Sequence, residues 1–287
     1  MKLNSEVYLH SPRDAATVVM LRDGDEGLEV FLVKRHGLSD VLGGTYVFPG
    51  GKLDAADLLL AVHVDQPMAD LHSALGEVHT PPATALGLYV AALREAFEES
   101  GILFASDALA AQATLSKHSQ LSFNAWVHQR AMTLQTRQLL PWTRWITPLS
   151  PSVSSKRFDT RFFVAEVPAD QTARHDDYET TASAWFQPKL ALQQYWDRQI
   201  ELAPPQIMSL AHLSRHTTVH SVLQEARQRP PPVIFPESYD EDGERFICYP
   251  GDPLHSVSTR AIPGPSRVYF RNRRFEPADG FEALFTA

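Results

Sequence analysis

The sequence predicts an α/β fold in which helices pack on both faces of a mixed β-sheet. Three observations carry this. Ala15 to Arg22 and Leu28 to Arg35 are β-rich runs flanking the turn-forming Asp23-Gly24-Asp25-Glu26-Gly27, and they read as a hairpin. In the second run Val30, Leu32 and Lys34 alternate with Phe31, Val33 and Arg35, so both faces carry apolar residues, as in a strand covered on both sides. Further along, short strand-like runs alternate with helical periodicities, which suggests an α/β/α sandwich.

Taken in order, Thr45 to Phe48 is a short strand running into the loop Pro49-Gly50-Gly51. Asp57 to Val64 allows a short helix, after which the chain reads as irregular through Pro67, Gly76 and Pro81-Pro82. A long helix begins near Ala83 and ends at Gly101, which supplies the left-handed residue that closes a helix. Leu109 to Gln112 and Ser122 to Met132 have helical periodicity, while Thr143 to Pro148, Phe162 to Val167 and Ala182 to Phe186 are strand-like. Helices follow at Lys189 to Ile200, Pro205 to Arg215 and Val219 to Arg227. From Pro230-Pro231-Pro232 onward the composition turns rich in Pro, Gly and charge, and Arg245 to Tyr249 is the best strand there. Residues 1–229 are thus expected to form the main domain, and 230–287 a helical or irregular extension packed on it.

Composition bounds the function. A chain of 287 residues with 44% hydrophobic content can bury a full core, and a formal charge of −8 argues against a general nucleic-acid surface. The lone Cys248 excludes an internal disulfide and fits a reducing compartment. No run reaches membrane-spanning length, Met1 to Arg13 lacks a signal-peptide core, and Phe285-Thr286-Ala287 is not a peroxisomal address, so the expected location is cytoplasmic.

The chemistry concentrates in Ala92 to Ile102. At roughly 100° per residue, Arg94, Glu95, Glu98 and Glu99 share one side of the long helix, and Leu86, Tyr89, Val90, Leu93, Ala96 and Phe97 the other. Three adjacent carboxylates repel one another unless something positive sits among them, and a hard divalent cation, Mg²⁺ or Mn²⁺, suits oxygen donors. A charged helix face is more often simply solvated. The second stretch, Phe48-Pro49-Gly50-Gly51-Lys52-Leu53-Asp54-Ala55-Ala56-Asp57, shifts that balance, because bare glycine backbone comes close to anions and metals.

Together the two stretches resemble the box of the Nudix hydrolase family, G-x5-E-x7-R-E-U-x-E-E-x-G-U, where U is bulky and apolar. Gly51 opens it, Asp57 stands at the first Glu, and Arg94, Glu95, Ala96, Glu98, Glu99, Gly101 and Ile102 match or approximate the second half. The departures are Asp for Glu at 57, the small Ala96, and a spacer of 36 residues, 58 to 93, in place of seven. Such an interrupted box resembles the peroxisomal coenzyme A diphosphatase branch, as do the opening at residues 48–57, Trp142-x-x-Trp145, Arg157-Phe158-Asp159-Thr160, Pro204-Pro205-Gln206 and Tyr249-Pro250-Gly251-Asp252.

The resemblance implies a Nudix-type α/β/α sandwich and a pyrophosphohydrolase acting on a small nucleotide-linked diphosphate. Coenzyme A or an acyl derivative leads, with ADP-ribose, NADH, dinucleoside polyphosphates or a non-catalytic nucleotide sensor as alternatives. It assigns Glu95, Glu98 and Glu99, with the Gly51 or Gly50 carbonyl, to Mg²⁺ or Mn²⁺, and makes Arg94 and Asp57 supporting groups. For the general base, Glu179 in the acidic loop His175-Asp176-Asp177-Tyr178-Glu179 competes with Glu99 and Glu95. Gly50, Arg35, Arg157 and Arg161 are candidates for substrate phosphate, although Asp40 stands where a second coenzyme A-type Arg would fall. Many relatives are dimers, so a homodimer is compatible with the resemblance. Two further features read as structural: His212, His216 and His220 recur every four residues without a Cys or acidic companion at suitable spacing, and Asp240 to Glu244 forms a turn too short for a calcium loop.

Overall fold

The structure, a computed structural model, describes residues 6–37, 42–106, 121–151, 156–175 and 179–286. Its centre is an eight-stranded mixed sheet. Strand β1 (Arg13–Gly24) turns through Asp25 and Glu26 into β2 (Gly27–Arg35), as the hairpin signal predicts. Further strands are β3 (Tyr46–Val47), β4 (Gly50–Lys52), β5 (Leu140–Ile146), β6 (Phe158–Glu166), β7 (Thr180–Phe186) and β8 (Val233–Ile234). The order is β3-β2-β1-β6-β5-β8, with β4 also paired to β1 and β7 to β2. The β1–β6 and β5–β8 pairs are parallel and the others antiparallel.

Alternation along β1 divides the core. Ala16, Val18 and Met20 face one apolar layer, Val19 and Leu21 the other, and all five are fully buried. Helix α1 (Met68–Leu75), helix α2 (Pro82–Ser100) and helix α3 (Phe123–Gln129) contribute to the first layer. Helices α4 (Pro188–Trp196), α5 (Pro204–Leu213) and α6 (Val219–Gln228) form the second. The α/β/α sandwich follows from these two faces.

Helix α2 positions the acidic face. Pro82 takes its first turn, where a missing N–H costs nothing, and Gly101 closes it at φ 73° with its N–H on the Phe97 carbonyl, 2.8 Å away. Tyr89 and Leu93 are buried in the first layer, Tyr89 with its ring 4.6 Å from that of Phe163.

The insertion departs from expectation. The helix expected over Asp57 to Val64 is two 3₁₀ turns, Ala55–Leu59 and Ala61–His63, and the segment read as irregular contains α1. Pro67 and Gly76, which look like breakers in the sequence, are that helix's two caps, Gly76 at φ 66°. Only Leu71 and Leu75 are buried, too few apolar positions for a clear period. The segment Leu109 to Gln112 lies outside the described residues.

The C-terminal region is not irregular. It forms a four-stranded antiparallel sheet in the order β12-β11-β10-β9, from β9 (Glu237–Glu241), β10 (Glu244–Cys248), β11 (Arg267–Arg271) and β12 (Arg274–Glu276). Both hairpins turn on two residues with positive φ, Asp242-Gly243 and Asn272-Arg273, the conformation that matches strand twist. Ile247, Tyr249, Val268 and Phe275 share the second core layer with Val19, Phe162 and Met208, so this sheet packs on the central one.

Candidate active site

The glycine turn and the acidic helix meet. The Gly50 N–H donates to Glu99 Oε2 at 3.2 Å, and a Cβ built on Gly51 would lie 2.3 Å from Glu95 Oε1. A side chain at position 51 would push the Glu95 carboxylate out of this place beside Arg94. Pairing of β4 with β1, Gly50 opposite Thr17 and Lys52 opposite Ala15, holds the turn in place.

Arg94 is the hub of the cluster. Its Nε and Nη2 donate to both oxygens of Asp57 at 3.0 and 3.1 Å, Nη1 to Glu95 and Glu98 at 2.6 and 3.0 Å, and Nη2 also to the Lys52 carbonyl at 3.0 Å. Asp57 is fully buried and accepts as well from the Asp54 N–H and from Asn124 Nδ2 of α3. Asp can therefore serve where the box has Glu, because the 3₁₀ turn brings its shorter side chain up to Arg94. Asn124 sits in no recognisable motif, and sequence reasoning missed it.

The acids differ in environment. Burial pushes the Glu99 carboxyl up to about 8; Glu95 adds to the rise, while Arg35, whose Nη1 lies 4.0 Å away, and the Gly50 N–H oppose it. Burial likewise raises Glu95 to about 7 against the pull of Arg94, with Glu98 and Glu179 adding. Burial also raises Glu98, against the same arginine. Clustered, buried carboxylates of this kind bind protons readily, and hard divalent cations for the same electrostatic reason.

These groups line one end of a cleft of about 910 Å³. Arg35 and Glu179 stand at that end, and Glu179 is close enough to raise the Glu95, Glu98 and Glu99 carboxyls. The floor follows two cross-strand rows, Lys52-Ala15-Thr160-Trp145 and Gly50-Thr17-Phe162. From β4 to β5 is three strand spacings, about 14 Å. Arg13, Lys52 and Lys156 add positive charge to the wall, and Phe158, Phe162, Pro205 and Ile247 make an apolar far end.

Arg157 and Arg161 do not join this cleft, a correction to the expected phosphate ligands. Strand β6 presents Phe158, Thr160 and Phe162 to it, so odd-numbered neighbours point away. Arg157 donates to the carbonyls of Thr147, Pro148 and His10, and Arg161 to Glu77, Asp14 and the Asp159 carbonyl. Both are structural cations.

The histidine repeat does have an acidic companion, from α6. Glu225 pairs with His212 Nε2 and His216 Nε2 at 2.9 Å each and with Arg229 Nε at 2.7 Å. Ligand atoms of His212, His216 and Glu225 lie within 4.8 Å of one another, whereas His220 stays outside. Burial would raise Glu225, but hydrogen bonds from His212 and Arg229 outweigh it and hold the carboxyl at about 2.

Among the described residues no helix is long and apolar enough to cross a membrane. The family model of the NUDT19 Nudix domain matches residues 62–213. The acyl-coenzyme A diphosphatase NUDT19 of Xenopus laevis is 27% identical over 276 residues, spanning 79% of this chain and 71% of that protein. The protein of the same name from Homo sapiens is 24% identical, over 80% of this chain and 73% of its own length. A Nudix hydrolase structure from Alicyclobacillus acidocaldarius superposes with a TM-score of 0.61 at 27% identity, covering 75% of this chain and 97% of that one. Nudix hydrolases generally use divalent metals. With more than half its length matched by the family model, and with the glycine turn and acidic helix joined as the box requires, this chain belongs to the NUDT19 Nudix family and is a Nudix hydrolase.

Proposed function

We propose that this protein hydrolyses the diphosphate of coenzyme A or an acyl-coenzyme A, releasing 3′,5′-ADP and 4′-phosphopantetheine or its acyl form, with Mg²⁺ or Mn²⁺ as cofactor. The observation that carries the reading is the contact of Gly50 and Gly51 with Glu99 and Glu95 at the head of a cleft with an apolar far end. The names of the vertebrate relatives support the substrate. The donor set fits a hard cation. Glu95 and Glu99 are buried carboxylates with raised proton affinity, and Gly51 leaves bare backbone against Glu95.

In this reading Glu95, Glu98, Glu99 and the Gly51 carbonyl hold the metal. When bound, it neutralises phosphate charge and makes water a better nucleophile. Arg94 positions Glu95 and Glu98 while Asp57 fixes its guanidinium plane, a bidentate pairing that lysine cannot copy. Glu179 accepts the proton of the attacking water, and Arg35 and the Gly50 backbone meet a phosphate oxygen. Residues 1–229, with 58–93 as an inserted lobe, form the hydrolase unit, and 230–287 pack on it. The single, buried Cys248 suits the cytoplasm.

Product release from coenzyme A, acyl-coenzyme A, ADP-ribose, NADH and a dinucleoside polyphosphate is the test, each with Mg²⁺ and with EDTA. Coenzyme A or its acyl form is expected to be the best substrate, with Glu99→Gln lowering kcat by about 10³ and Glu179→Gln by about 10². Full rates in EDTA or in Glu99→Gln would defeat the metal mechanism, and a better rate on another substrate would defeat the coenzyme A assignment.

A further inference from the structure

Two imidazoles and a carboxylate come together away from the cleft, which none of the three lines. His212 is in the last turn of α5, His216 in the turn that follows, and Glu225 on α6. One ligand atom from each lies within 4.8 Å of the other two. The His212 ring packs 4.7 Å from that of Trp142, and the Arg229 guanidinium covers the same indole at 4.3 Å. Side chains held in this way keep their ligand atoms together without an ion.

Hydrogen bonding leaves a lone pair facing the carboxylate. Ser221 Oγ gives its only proton to the Thr218 carbonyl, 2.8 Å away, so His216 Nδ1, 3.0 Å from that hydroxyl oxygen, is the donor between them. A neutral His216 then carries no proton on Nε2, yet Nε2 is 2.9 Å from Glu225 Oε2. Two lone pairs at that separation repel unless a positive charge, a proton or a metal ion, comes between them. His212 Nε2 approaches the same carboxylate at 2.9 Å. A proton serves one donor and one acceptor, whereas three converging ligand atoms suit a metal. The second nitrogen of a metal-bound histidine is commonly held as Ser221 holds His216 Nδ1.

The donor set selects the ion. Imidazole with one carboxylate suits Zn²⁺, while Mg²⁺ and Mn²⁺ favour oxygen donors such as Glu95, Glu98 and Glu99. Zinc ligands stand about 3.4 Å from one another, so the three side chains close by roughly 1 Å on binding. Arg229 Nε holds Glu225 Oε1 at 2.7 Å and leaves Oε2 for the ion; its charge weakens binding but fixes the carboxylate. The side chains of His216 and Glu225 are 11% and 31% exposed, so solvent reaches the site and can fill a fourth position.

We propose that His212, His216 and Glu225 bind Zn²⁺, a second metal site that ties α5 to α6 and is separate from the Mg²⁺ or Mn²⁺ site of the cleft. It stands whether or not coenzyme A is the substrate.

Calorimetric titration of Zn²⁺ into metal-stripped protein in excess Mg²⁺ tests it, with wild type, His216→Gln and Glu225→Gln compared after thermal melts in EDTA show each to be folded. Wild type is expected to bind Zn²⁺ with a Kd of about 1 μM, and each variant at least about thirtyfold more weakly. An anomalous difference map at the zinc edge reads the site in wild-type crystals without any variant, and a peak between His212, His216 and Glu225 is expected. Absence of Zn²⁺ uptake by wild type, unchanged uptake in both variants, or an anomalous peak only among Glu95, Glu98 and Glu99 overturns the proposal.

Discussion

Arg94 shows how one side chain organises a site made of like charges. Its guanidinium, exposed by 9%, satisfies Asp57, Glu95 and Glu98 together, and in return their charges and hydrogen bonds outweigh burial and raise its proton affinity. Arg94→Ala leaves a buried Asp57 without its cation, and urea unfolding is expected to register a loss of about 3–5 kcal/mol. Arg94→Lys keeps the charge but cannot form the bidentate pair, so kcat is expected to fall by about 10² in the product-release assay. Glu99 gives a pH dependence. Its folded carboxyl titrates near 8 against an ordinary 4.5, so the folded chain binds more protons than the unfolded one between those values. Stability from this group is therefore complete below 4.5 and is lost as pH rises through about 8. In EDTA, the wild-type Tm is expected to fall by at least about 3 °C relative to Glu99→Gln between pH 6 and 8.5, and Mg²⁺ to restore it. Parallel melting curves for the two proteins would show that Glu99 is not buried as described.

At the scale of elements, the inserted lobe is fastened by charge as well as by apolar contact. Glu77, just beyond α1, accepts from Arg161 Nε and Nη2 at 2.9 and 2.6 Å and lies 3.2 Å from Arg144 Nη1. Burial acts to raise its carboxyl, but hydrogen bonds from Arg161 and Thr80 bring it below the ordinary value. Glu77→Ala removes one of the acids shared by Arg161 and Arg144 and leaves them with Asp14 and Asp159, so it is expected to cost about 1–3 kcal/mol, the loss of charged hydrogen bonds to a buried guanidinium. Hydrogen exchange should then accelerate first across residues 68–80, before the central sheet; unchanged protection there would mean that Leu71 and Leu75 hold the lobe alone. The sequence shows α2 clearly, since a proline start, an apolar stripe and a glycine stop agree. Helix α1 was hidden because its caps resemble a break and its stripe has two residues. Strand β6 is legible as a strand, but the face taken by Arg161 is not, because phase along a strand is set by its neighbours in the sheet.

Over the whole molecule, the second core layer joins the central sheet to the C-terminal one. Phe275, 1% exposed, accepts the Tyr195 hydroxyl on its carbonyl at 2.9 Å and shares the layer with Met208 and Val164. If 230–287 pack on the hydrolase unit as proposed, wild type unfolds in one calorimetric transition, and Phe275→Ala lowers its stability by about 3–5 kcal/mol without splitting it. Two resolved transitions would mean that the C-terminal sheet unfolds on its own.

By itself the sequence determined the alternation of strands and helices, the hairpin, the acidic helix with its glycine stop, and the family, because each is written in local spacing and residue type. Only the tertiary structure decided that Gly51 lies against Glu95 across the intervening lobe, that Asp57 reaches Arg94 with Asn124 beside it, and that Glu225 closes on His212 and His216. It also turned Arg157 and Arg161 away and brought Trp145 and Gln206 to one cleft. Those outcomes depend on strand register and on contacts between residues far apart in the chain, which no local pattern encodes.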